Sequence, residues 1–490
     1  MKALKSIGIV LVLALALVAG AQEDRKVLEQ IAEAVKVYRS GDVDGAKSSF
    51  IELYGKNPNQ ADILSWLGFL YLRTGEPQKA VEVLEKVMPM RKDDLEVRNN
   101  LGAAYVQTDQ PDKALVEYQA LSEMDPSRFE PWYNMGNIHL AKKHYTEAAA
   151  AYAKANAIRP GDAFVLNNLG VANEALGNVD AAGDYFSRAS NLNADNKTFA
   201  RNAGYAYVKV NRADKAQPML ERAYSLDKSD SQLGMVLAGN YAKLGNKSAA
   251  MRTYRELATS QANNSAYWFN MGVLMSGSDQ RGAEQAYRRA LELNGSDIDV
   301  LRNLGLLVYQ RGDYKQAATY FDKWAGLDPN SMDAKINLAA ASAKSANVPR
   351  AIELWERILK SEPRRLGIRV SLANALWQAE ERVQARSHYQ IILQQDPKNA
   401  IAHNGLGLYH LSQGSLMEAE TSFRAAIKGD SKFLQPYNNL AVTLERLNRR
   451  KEAISVLEMG LKKGPGTFEM KTNLARIKKA EADAKRIKKG

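Results

Sequence analysis

Small and large apolar residues recur along this chain with a fixed period. Ala46, Ala80, Ala114, Ala148, Ala182, Ala216 and Ala250 stand 34 residues apart. Ala283, Ala317, Ala351, Ala385, Ala419 and Ala453 continue the series after one step of 33. Four residues after each alanine comes a large side chain: Phe50, Leu84, Tyr118, Tyr152, Phe186, Leu220, Tyr254, Tyr287, Phe321, Trp355, Tyr389, Phe423 and Leu457. Residues four apart share one face of a helix. The alanine lets a neighbouring helix approach, and the large residue fills the space beside it. A second pattern runs about 13 residues earlier, an apolar residue followed by Gly or Ala, as in Leu67-Gly68, Leu101-Gly102, Met135-Gly136, Leu169-Gly170, Leu304-Gly305 and Leu440-Ala441. It predicts a second, closely packed helix.

Between the two patterns lies a turn, with glycine at Gly41, Gly75, Gly177, Gly245, Gly312 and Gly414. These are positions where a helix ends in the left-handed region. Proline closes many units, at Pro58, Pro126, Pro160, Pro329, Pro363, Pro397 and Pro465, where it stops one helix before the next begins. The unit predicted is helix, tight turn, helix, turn. A period of this length marks a repeat array, in which no unit buries its own apolar face and the stack buries a continuous core.

The spacing and residue types resemble the tetratricopeptide repeat. Repeats are placed at 27–60, 61–94, 95–128, 129–162, 163–196, 197–230, 231–264, 265–297, 298–331, 332–365, 366–399, 400–433 and 434–467. Residues 22–26 form a short lead-in. The stretch 468–490 begins as another first helix, with Leu474-Ala475, and is expected to cap the last repeat and end in a basic tail. The resemblance implies an all-α solenoid of about thirteen repeats, wound as a right-handed superhelix with a concave groove. It also implies one continuous domain over 27–467. The missing residue near Gly277 to Gly282 is expected to shorten a turn.

Residues 1–21 read differently. Lys2 and Lys5 precede an apolar run from Ile7 to Val18, and Ala19-Gly20-Ala21 offers small residues at a cleavage point. That is the form of a secretory signal peptide, with an apolar run too short for the roughly 20 residues of a membrane helix. The expected destination is a bacterial periplasm or the extracellular medium, with no transmembrane segment in the rest of the chain. There is no cysteine, which removes disulfides, thiol catalysis and a lipoprotein anchor from consideration. The formal charge is +12, of which Lys2 and Lys5 belong to the leader, leaving +10 on the mature chain. For an exported protein this excess points to acidic polypeptide segments or acidic polysaccharide rather than nucleic acid, or it only aids solubility.

Catalytic sets are not found. The histidines His139, His144, His388, His403 and His410 lack a third metal ligand at suitable spacing. Phosphate loops, dinucleotide fingerprints and serine elbows are absent. No enzyme activity, cofactor or metal is expected. Some tetratricopeptide proteins are glycosyltransferases through a large catalytic domain after the repeats, and here about 23 residues follow the last one.

The suggestive feature is a ladder of asparagines just before the apolar-small pairs: Asn100, Asn134, Asn168, Asn202, Asn270, Asn303, Asn337, Asn439 and Asn473. It fails at Trp66, Val236, Ser371 and Gly405. In the family this position faces the concave groove, and the ladder is similar to the peptide-holding asparagines of the O-linked glycosyltransferase superhelix. A side-chain amide both donates and accepts, matching a peptide bond. Helices about 8–10 Å apart would present one amide to every third residue of an extended strand rising about 3.3 Å per residue. The same residue is common across the family, so a bond to a neighbouring helix is the other reading. Arg201 and Arg302 precede two ladder asparagines. Lys209 and Lys243, with Arg73, Gln107, Gln310, Lys344 and Arg446, stand near the ends of first helices and would make the groove polar and mildly basic. Three functions remain open: an exported scaffold that binds extended polypeptide and supports an envelope or secretion complex, a periplasmic component of polysaccharide export, and a self-assembling structural solenoid. Oligomeric state is not set by the sequence.

Overall fold

A computed structural model describes residues 25–487. The expected leader falls outside them. Among the described residues there are twenty-seven α-helices and no strand. They form thirteen helix pairs and a final helix, beginning with 25–39 and Val43–Lys56 and ending with Gln435–Arg446, Arg450–Lys463 and Phe468–Ile487. The described chain groups into two compact units, one ending at Thr253 and one beginning at Tyr254. The sequence pattern alone had placed a single continuous array there.

Each pair is held by one recurring contact. The small residue of the first helix faces the large residue of the second, sixteen positions later: Gly102 against Tyr118, Gly136 against Tyr152, Gly170 against Phe186, Gly305 against Phe321. A Cβ added at Gly136 or Gly170 would lie 2.6 Å from the partner ring. Only a residue without a side chain lets the ring lie flat on the helix backbone. The periodic alanines and their large partners are buried, as the spacing implied, with Ala148, Tyr152, Ala182, Phe186, Ala317 and Phe321 fully covered. In the first unit the core runs from Ile31 through Leu121, then through Tyr152 and Leu169, then through Phe186 and Leu237. In the second it runs from Tyr287 to Leu338, from Trp355 to Ile392, and from Phe423 to Ile477.

Many of the first helices start on side-chain caps. Asp94, Asp162, Asn196, Asp297 and Asn399 each accept from backbone N–H groups of the turn that follows. Their ends use the left-handed region. All six predicted turn glycines have positive φ, from +75° at Gly75 to +94° at Gly41. In six other pairs the same position holds Asp109, Lys143, Asn211, Ala346, Glu380 or Asn448, with φ between 56° and 65°. Packing of the two helices holds these residues in a conformation that a Cβ disfavours.

The eighth repeat differs from expectation. Its one-residue deletion shortens the first helix, Ser265–Met275, to 11 residues, and the turn lengthens to cover 276–279. Gly272 still meets the Tyr287 ring, now fifteen positions away. The contact is kept and the helix end gives way. Asp279 then caps the next helix by accepting from Gly282 N–H at 2.9 Å.

The final helix covers the last pair. Met470 and Ile477 are fully buried in the core with Leu440 and Leu457. Its basic tail is partly tied down: Arg476 makes two 2.6 Å bonds to Glu445, and Lys478 pairs with Glu458 at 2.7 Å. The side chains of Lys485 and Arg486, and the whole of Lys488 and Lys489, lie outside the described residues.

Replacing Ala346 with Gly should stabilise its repeat. Left-handed backbone disfavours a non-glycine residue by about 1–2 kcal/mol, and glycine gives back about 0.4–1 kcal/mol through unfolded-chain entropy. A net gain of about 0.5–1 kcal/mol is expected, read as slower amide exchange in the helix Met332–Lys344.

Candidate functional site

The ladder asparagines lie on one face of the first helices, but they do not present nine equivalent amides. Five bond across repeats. Asn168 Nδ2 lies 3.3 Å from both Asn137 Oδ1 and the Tyr152 hydroxyl. Asn134 meets the Tyr118 hydroxyl in the same register. Where the large residue is Phe or Leu, the amide reaches further back. Asn202 donates to Asn167 at 3.1 Å, Asn439 to Asn404 at 3.0 Å and Asn473 to Asn438 at 2.9 Å. Asn303 and Asn337 instead donate to backbone carbonyls of their own helices, Asp299 at 2.7 Å and Asp333 at 2.8 Å. Asn100 and Asn270 make no such side-chain bond and are half-buried.

The basic candidates are mostly partnered. Arg201 stands 4.0 Å from Asp230, Arg302 2.7 Å from Asp299 and Lys209 3.6 Å from Glu174. Lys243 donates to Asn211. Among the described residues no group of three His, Cys, Asp or Glu is arranged to hold a metal ion. His403 Nε2 lies 3.0 Å from the Pro397 carbonyl, and His410 packs edge-on against Tyr409. Burial holds His139 and His388 below the ordinary imidazole range, and the Arg369 guanidinium adds to the effect at His388.

Among the described residues, two cavities open beside ladder positions, and both sit where the ladder breaks. In the first unit Tyr38, Trp66 and Phe69 line a cavity of about 300 Å³ together with Ser65, Val97 and Asn100. Trp66 stacks on Phe50 at 5.5 Å and meets Tyr38 and Phe69 edge-on at 5.5 and 5.8 Å. Asp94 and Glu96 rim it, each held by a cation: Arg91 at 3.3 Å and Arg128 at 2.7 Å. In the second unit Trp377, Ile401, Leu408 and Phe433 wall a cavity of about 340 Å³ around Gly405. These aromatic and aliphatic residues were passed over in the sequence because they interrupt the asparagine series or fall beside its interruptions. The breaks at Trp66 and Gly405 were the signal that could have found them.

Sequence profiles of the tetratricopeptide repeat match residues 37–97, 99–163, 202–230, 273–331 and 370–433, together more than half of the chain. The chain belongs to the tetratricopeptide repeat family. Among curated relatives, the formate-dependent nitrite reductase complex subunit NrfG of Escherichia coli O157:H7 is 29% identical over 123 residues, covering 24% of this chain and 62% of that protein. Cellulose synthase 1 operon protein C of Komagataeibacter xylinus is 28% identical over 149 residues, covering 28% of this chain and 11% of that protein. The matches thus span about three-fifths of the first relative and about a tenth of the second. Among solved structures, yeast Tom70 is similar over 94% of this chain and 97% of its own, with 17% identity and a TM-score of 0.35. The tetratricopeptide protein YrrB matches over 38% of this chain and 96% of its own, with 19% identity and a TM-score of 0.35.

If the cross-repeat amides hold neighbouring repeats together, Asn202→Ala and Asn439→Ala should each weaken the local fold by about 1 kcal/mol. Asn303→Ala, which loses only an exposed bond within its own helix, should change little. Repeat arrays depart from two-state unfolding, so amide exchange in the helices Lys197–Lys209 and Gln435–Arg446 is the measure.

Proposed function

We propose that this protein is an exported, non-catalytic scaffold that binds an extended polypeptide segment along its first-helix faces and supports assembly of an envelope complex. The observation that carries the reading is the aromatic cavity of Tyr38, Trp66 and Phe69 beside the uncommitted amide of Asn100. Its volume is near the lower end of ligand clefts, which run about 300–1,000 Å³, and suits side chains rather than a large cofactor. Rigid aromatic walls with an adjacent amide provide an apolar anchor and a backbone partner together. In this reading the ladder has two roles. Asn134, Asn168, Asn202, Asn439 and Asn473 fix one repeat against the next, while Asn100 and Asn270 keep amides for a ligand.

Export is supported by the leader-like residues 1–21. Among the described residues no helix is long and apolar enough to cross a membrane. A role beside a larger complex is supported by similarity to a protein named as a subunit of the nitrite reductase complex and to one named for a cellulose synthase operon. The acidic-glycan reading gains no comparable support. The cations it would use, Arg201, Arg302 and Lys209, face carboxylates, and Lys243 bonds to Asn211.

The test is capture from envelope extract, read by mass spectrometry, with the mature protein beside Ser65→Arg. Ser65 lies on the cavity wall and bonds only to the Ala61 carbonyl of its own helix, at 2.9 Å. An arginine there fills the cavity and leaves the aromatic core contacts in place. A polypeptide held by the mature protein and reduced tenfold or more with the variant is the expected result. Equal recovery from both, or recovery of glycan alone, would remove the cavity from the function.

A further inference from the structure

The cavity of the second unit has features that the first lacks. Its lining residues carry no carboxylate, ammonium or guanidinium. The Arg382 guanidinium lies over the Trp377 ring at 5.6 Å. Its apolar wall is open to solvent at Ile401, which is 40% exposed. Its floor is polar and deeply placed. Asn404 is only 6% exposed, and its Oδ1 accepts from Asn439 at 3.0 Å. Asn404 Nδ2 bonds to no protein group, although the residue lines the cavity. Asn374 lines the same cavity from an exposed position, and its Oδ1 accepts from the Tyr389 hydroxyl at 2.9 Å.

Gly405 explains why the cavity is there. At this ladder position most repeats carry asparagine. Here a Cβ would lie 2.4 Å from the Tyr389 ring. Tyr389 takes up that space, turns its hydroxyl to Asn374, and no amide projects from the ladder position into the cavity. Asn404 Nδ2 still reaches solvent through the cavity, so it stays open to an acceptor brought by an occupant. An occupant carrying a carbonyl oxygen would accept from that donor in place of solvent. An occupant carrying a charge would lose its own hydration with no opposite charge to meet it.

We infer that this cavity holds an uncharged apolar side chain of a bound polypeptide, with a neighbouring backbone carbonyl of that polypeptide accepting from Asn404 Nδ2. The inference rests on the polypeptide-binding reading above and adds a preference to it. The ladder is indifferent to side chains, whereas the cavity selects a leucine, isoleucine, methionine or phenylalanine and rejects Asp, Glu, Lys and Arg.

The experiment is a selection from a displayed random dodecapeptide library on the full chain, followed by affinity measurement of the selected peptides on variants. Ile401→Arg blocks the open wall at a residue that is already solvent-exposed. Asn404→Asp keeps an oxygen for Asn439 and removes the free donor. The expected result is a group of peptides sharing one apolar position, with affinity reduced tenfold or more by both variants and unchanged by Ser65→Arg in the first unit. Selected peptides indifferent to Ile401→Arg and Asn404→Asp, or ones sharing a charged residue at the critical position, overturn the cavity assignment and leave the polypeptide reading standing. Selection that enriches no peptide overturns both.

Discussion

A ring or leucyl side chain pressed onto the bare backbone of a glycine, or onto an alanine, sets the spacing of every helix pair. At Gly136, Gly170 and Gly305 there is no room for one more carbon. Close-packed interiors yield little to such contacts, so the surrounding backbone adapts instead. The eighth repeat makes this visible: one residue is missing, yet Gly272 and Tyr287 still meet, and the helix Ser265–Met275 ends early to allow it. The turns show the same order of priorities. Ala346 and Glu380 hold left-handed backbone, which a Cβ resists, because the helices on either side are fixed by their packing.

That hierarchy explains what was legible in the sequence. Contacts that depend on one residue type at a fixed spacing leave a periodic trace, so the alanines, their large partners, the turn glycines and the helix pairs could be read directly. The end cap was legible for the same reason, since Leu474-Ala475 repeats the first-helix pattern. The fate of the asparagines was not. Whether such an amide meets a tyrosine hydroxyl, as at Asn168, an asparagine of the preceding repeat, as at Asn202, or its own helix, as at Asn303, depends on the neighbouring repeat's residues and the distance between helices. A single repeat carries neither. The cavities were hidden because the eye follows a pattern, and they lie where the pattern stops.

The charge excess is also distributed by the repeat. Many cations pair with an acid about one repeat away in sequence, as in Arg212 with Asp180 at 3.0 Å, Lys215 with Asp184 at 2.9 Å and Arg476 with Glu445 at 2.6 Å. Exposed pairs of this kind contribute little each, typically about 0–1 kcal/mol. Their effect is to commit cations to neighbouring helices and to leave fewer of them facing solvent alone. At Glu76 two cations converge: Lys47 and Lys79 both bond to it and keep its carboxyl depressed to about 2.

In an array whose stability is summed from near-identical neighbour contacts, residues that obey the pattern are explained by the fold. Five asparagines of the ladder illustrate this, since their amides are spent on the adjoining repeat. Departures from the pattern are different, because the contact shared by the repeats does not require them. Trp66 and Gly405 replace an available asparagine, and each leaves space unfilled beside it. In the second unit the departure also opens a cavity onto Asn404, whose Nδ2 has no protein partner. An exposed apolar wall and a donor with no protein partner are both left facing the cavity, and one occupant with an apolar side chain and a carbonyl meets both.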